Sequence, residues 1–189
     1  QVIPLAFVGL AVWPAMQALY PYQDRSRDWE VHYYAHDVLS QPLEKHSVII
    51  GILGEMTLLR YFQAVEGLRP DVETIAADRE AERRRVVDTK VHEGKAVYLT
   101  RPLNGIANKY DLSAVGPLIR VQKRPGIIDV VPEFPTDIYL TKAFHLLGYN
   151  VSVLEREWQT VVRLTLFWEV TAPVDASYKI SARIYNTAG

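Results

Sequence analysis

The chain lacks cysteine altogether, which excludes disulfide staples and thiolate metal centres. It lacks a charge excess as well. There are 21 Lys and Arg against 22 Asp and Glu, a net charge of −1, so the balance gives no reason to expect a nucleic-acid partner. No initiator methionine stands at the start: the first residue is Gln1, and the chain is expected to begin inside a longer precursor. The fourth absence is chemical. A dinucleotide-binding turn needs a glycine-rich loop after the first strand, with room for phosphate. The segment here, Gly51-Ile52-Leu53-Gly54-Glu55, lacks the third glycine and sets a carboxylate where the phosphate would lie. That argues against nucleotide binding.

What is present is a chain of 189 residues, 49% of them apolar, with room for one ordinary domain or two small ones. Val2 to Tyr22 carries no charge and one clearly polar side chain, Gln17, close to the roughly 20 apolar residues that cross a bilayer. Tyr20 and Tyr22 fit an interfacial aromatic belt, and Gly9 and Pro14 are tolerated in a membrane span. The reading is a transmembrane helix over residues 1–23. The mixed charges that follow, Asp24 to Glu30, lack the basic excess of a cytoplasmic loop, so the rest of the chain is expected on the extracytoplasmic side. A buried core helix is the alternative.

Trp29 to Leu39 has the spacing of an amphipathic helix, ended by Ser40 and Pro42. On it His32 and His36 stand four apart on one face, a spacing that can hold a metal. No third ligand is evident along the sequence, so the pair reads as solvated surface and no metal is assigned.

Residues 24–124 read as a small α/β domain. Its strands are Val48 to Leu53, Val72 to Ala76 and Ala96 to Thr100. A helix from Thr57 to Glu66 joins the first two, and a charged helix capped by Asp78 and closed by Gly94 leads to the third. Strands alternating with helices predict a parallel βαβαβ sheet with right-handed crossovers. Arg83, Arg84 and Arg85 point in different directions on their helix and read as a solvated face rather than an anion site. Around Glu66, Arg69 and Asp71, Gly67 supplies a helix C-cap and Pro70 blocks continuation. The charges are expected to fix how helix meets strand. A loop from Arg101 to Gly116 leads to a further strand, Leu118 to Gln122.

Composition shifts near Lys123-Arg124-Pro125-Gly126. Residues 125–189 then read as a partial antiparallel β-sandwich, with strands at Ala143 to Tyr149, Val161 to Val170 and Tyr178 to Tyr185. Too few strands are present to close a sandwich, so another chain, or more of this one, is expected on the open edge. Tyr149, Trp158, Trp168 and Tyr185 offer sugar-stacking surface, though strand aromatics also serve as core.

Three features together resemble the C-terminal extracytoplasmic region of bacterial polytopic membrane glycosyltransferases with the GT-C architecture, relatives of the protein O-mannosyltransferases. These are an apolar segment followed by an amphipathic helix (Val2 to Leu39), the run YFQAVEGLRPDVETI (Tyr61 to Ile75), and FHLLGYNVS followed by VVRLTLFWEVTAPVDASYKISARIY (Phe144 to Ser152 and Val161 to Tyr185). The resemblance implies an accessory domain on a lipid-linked sugar transferase. Its motifs mark structure and not chemistry, so no catalytic, cofactor-binding or metal residue is carried over and no cofactor is expected. Expected partners are membrane lipid and other membrane subunits, or the missing upstream membrane part. The alternative is a non-enzymatic, membrane-anchored subunit of a larger complex. A free Rossmann-type enzyme is disfavoured by the missing phosphate turn.

Overall fold

Val48-Ile49-Ile50-Gly51 forms strand β1, buried along its whole length, as a strand covered on both faces must be. A computed structural model describes it together with the rest of residues 28–123, with 131–156 and 159–174, and with Pro14, Gln17, Leu19 and Tyr178. The chain divides into two units, Gln1–Ile127 and Ile128–Gly189.

In the first unit, helix α1 (Glu30–Leu39) precedes β1. Helix α2 (Leu53–Val65) then crosses to β2 (Glu73–Ala76), and α3 (Glu80–His92) crosses to β3 (Val97–Leu99). β2 and β3 flank β1, both parallel to it. Alternate side chains of the strands face opposite layers. Ile49 and Tyr98 pack with Ala35 and Val38 of α1 and Met56, Leu59 and Phe62 of α2. Val48, Ile50, Val97 and Leu99 pack with Val87 and Val91 of α3. The crossover helices therefore cover opposite faces of the sheet. Each fully buried aliphatic side chain contributes about 1.5–3 kcal/mol.

The sheet is mixed, not wholly parallel. A strand not anticipated from sequence, β4 (Asp111–Val115), forms a hairpin with β5 (Leu118–Gln122), and β5 runs antiparallel to β3. The order is β2-β1-β3-β5-β4. The reason is local: only Gly116 and Pro117 join β4 to β5, and a two-residue link can turn a hairpin but cannot return a parallel strand. Gly116, at φ +57°, takes the left-handed conformation that such a turn asks of its first residue.

The second unit corrects the expected sandwich. Its described residues form one three-stranded antiparallel sheet, ordered β6-β7-β8, from Phe134–Tyr139, Phe144–Arg156 and Gln159–Val170. Phe134–Tyr139 escaped the sequence reading because most of its residues are exposed and show no apolar alternation. The predicted strand Tyr178 to Tyr185 lies outside the described residues, apart from Tyr178.

The transmembrane reading is corrected as well. Among the described residues no helix is long and apolar enough to cross a membrane. The helices α1, α2 and α3 have 10, 13 and 13 residues, short of the roughly 20 required. The run Val2 to Tyr22 lies outside the described residues except for Pro14, Gln17 and Leu19, each helical and exposed. A single-span membrane location with an extracytoplasmic remainder therefore has no support in the structure.

Candidate functional site

Because β2 and β3 lie on either side of β1 and their crossover helices on opposite faces, the sheet has a topological switch point between β1 and β3, which defines a crevice position outside their carboxyl ends. That is where open α/β sheets bind ligands. Gly51 ends β1 there, and a Cβ on it would come within 2.8 Å of Glu55 Oε2 and 2.9 Å of Met56 Cε, and nearer still to Thr100 Oγ1. Glu55, in the first turn of α2, turns its carboxylate into this crowded space. The Thr100 hydroxyl donates to Oε2 at 2.6 Å and Arg101 Nε donates to Oε1 at 2.7 Å. The Ile52 N–H approaches Oε2 at 3.4 Å. Asp78, two residues past the end of β2, accepts the Leu53 N–H at 2.8 Å. Asp78 was expected to cap α3; it caps α2 instead.

Burial alone would raise the Glu55 pKa, but the hydrogen bonds from Thr100 and Arg101 outweigh it and hold the carboxyl below its ordinary value. Tyr34 of α1 is pushed the other way, by burial and then by the Glu55 charge. The crevice is thus a closed network of the chain's own groups. Neither Thr100 nor Arg101 stood out in the sequence, since their pairing with Glu55 exists only once β1 and β3 are neighbours.

A second cluster lies at the other end of α2. His32 and His36 project from α1 with their rings stacked, 4.4 Å between centroids and 26° between planes. Glu66, the residue that ends α2, reaches them: Oε2 is 2.9 Å from His36 Nε2, and Oε1 is 3.9 Å from His32 Nε2. Phe62 packs edge-on against both imidazoles and Trp29 against His32. The side chains of His32, His36 and Glu66 are about one-third exposed, at 34%, 36% and 34%. Sequence spacing found the histidine pair but not Glu66, which belongs to a different helix.

Arg69 and Asp71 go elsewhere. Their side chains form a bidentate pair, Nε to Oδ1 at 2.8 Å and Nη2 to Oδ2 at 2.9 Å. Arg69 Nη2 also donates to the carbonyls of Leu43 and Glu44, while Asp71 accepts the His46 N–H. The turn before β2 is thereby stapled to the loop before β1. Both His46 (φ 58°) and Arg69 (φ 45°) sit in the left-handed region, a strained choice for side chains of this size. Of the arginine run, Arg83 donates to the Ala77 and Asp78 carbonyls and Arg84 to that of Asn104, so both secure loops.

In the second unit Tyr149 stacks on Phe134 with centroids 5.1 Å apart, and Trp168 is half-buried. Trp158 and Tyr185 lie outside the described residues. His145 bridges three strands. Its Nε2 lies 2.7 Å from Asp137 and its Nδ1 3.4 Å from Glu169, and its ring stacks on Tyr139. This is cross-strand pairing of the kind that stabilises antiparallel sheets.

No known protein family, curated protein or solved structure matches the chain. The site's own chemistry must therefore carry any functional reading.

Proposed function

We propose that the chain is a non-catalytic accessory domain of a glycosyltransferase-like protein, which holds an acceptor or a neighbouring subunit and does not itself transfer sugar. The observation that supports this best is the occupancy of the crevice by Glu55. A donor-binding Rossmann domain leaves the N–H groups at its first helix free for a donor's phosphates. Here Glu55 and Asp78 take the Ile52 and Leu53 N–H groups, and Glu55 also engages the adjacent hydroxyl and guanidinium. Much of the charge in the segment that carries the resemblance, Tyr61 to Ile75, is likewise spent on architecture, since Arg69 and Asp71 staple two loops.

The test has two arms. Calorimetric titration of the full chain with nucleotide-linked and polyprenyl-phosphate-linked hexoses should give no saturable heat and no released or transferred sugar. Native isolation through a tag on the chromosomal copy should yield a polypeptide with sugar-transfer activity, either bound to this chain or continuous with it. Saturable donor binding with turnover by the chain alone would overturn the reading. So would native isolation without any transfer activity.

A further inference from the structure

We propose that His32, His36 and Glu66 form a binding site for a divalent transition-metal ion of the zinc class. This does not rest on the accessory-domain reading. The nearest polar atoms of the three side chains all lie within 4.8 Å of one another, the one such group of His, Asp and Glu among the described residues. Two donor atoms bound at about 2.0–2.1 Å to one tetrahedral ion stand about 3.3 Å apart. The observed separations of 2.9 Å (His36 to Glu66) and 3.9 Å (His32 to Glu66) fall on either side of that value.

The second observation concerns His36 Nε2. It is shielded from solvent and has no hydrogen-bond partner among the described residues, although Glu66 Oε2 is 2.9 Å away. The two atoms approach without the alignment of a hydrogen bond. A lone pair aimed at a shared ion accounts for that approach, where a simple His–Glu ion pair would align its N–H with the carboxylate.

The donor set selects the metal. Two imidazoles and a carboxylate suit zinc and its neighbours cobalt, nickel and copper, whereas calcium and magnesium take oxygen ligands. Three protein ligands leave a fourth position for water or an incoming group. The ligands come from two helices, so the ion would also tie α1 to the end of α2. Phe62 and Trp29 hold the imidazole rings in place.

Titration of the full chain with Co²⁺ should saturate at one ion per chain and give the visible absorption of a low-coordinate site, and Zn²⁺ should displace the cobalt. Zinc-edge X-ray absorption of the loaded wild-type protein should show imidazole and carboxylate scattering, with no thiolate. Glu66→Gln and His36→Asn should each weaken zinc binding by more than the roughly 10–100-fold that loss of an outer-shell partner costs, with circular dichroism unchanged. Absence of saturable zinc binding by the wild-type chain would overturn the proposal, as would undiminished binding in both variants. If a variant fails to fold, the wild-type absorption spectrum decides: a first shell without two imidazoles sinks the site.

Discussion

At Gly51 a single methyl group decides whether β1 can end beside β3. Gly51→Ala would press against Thr100, Glu55 and Met56, and overpacking of this kind costs about 1–3 kcal/mol. The urea midpoint should fall with its slope unchanged; an unshifted midpoint would mean that the crevice yields freely. Asp71 gives a pH-dependent counterpart. Hydrogen bonding to Arg69 holds its carboxyl well below the ordinary carboxylate range, while in the unfolded chain an Asp titrates near 3.9. A depressed native pKa means stability that is fully present above about pH 4 and is lost as the pH falls through the native value. The destabilisation caused by Asp71→Asn should therefore be larger at pH 7 than at pH 3. A penalty that does not change with pH would show that the pair contributes nothing through charge.

Among the elements, the centre was readable and the edges were not. Val48-Ile49-Ile50 is a continuous apolar run because β1 is covered on both faces, and the βαβαβ alternation followed from it. β4 and β6 have their faces largely exposed, so no burial imposes a period on them. α2 begins at Leu53, before the expected Thr57, because Glu55 and Asp78 supply its first N–H partners. One of these lies beyond the helix itself, so no reading of local propensity would place the start there. The candidate metal cluster was half legible for a related reason: His32 and His36 share one helix, whereas Glu66 arrives through tertiary packing. Amide exchange should rank the strands in the same way. Ile49 and Ile50, buried on an interior strand of a five-stranded sheet, should exchange among the slowest amides of the first unit, and the edge strands β2 and β4 faster. Equal rates for centre and edge would contradict the sheet order.

For the whole molecule, both apolar clusters draw all their members from residues before 124. Residues 28–123 expressed alone should therefore unfold in one cooperative transition by circular dichroism, and a broad non-cooperative melt would sink that expectation. The described part of the second unit has a single buried apolar residue, Ala143, and a lone three-stranded sheet of that kind needs cover on a face to be stable. The Glu55 crevice carries a further consequence. Its carboxylate behaves as a tethered guest, kept by the main chain at a local concentration no dissolved acid can match. Removing the guest should leave its host behind: Glu55→Ala would lose stability that added acetate partly restores, while the wild-type protein should be indifferent to the same salt.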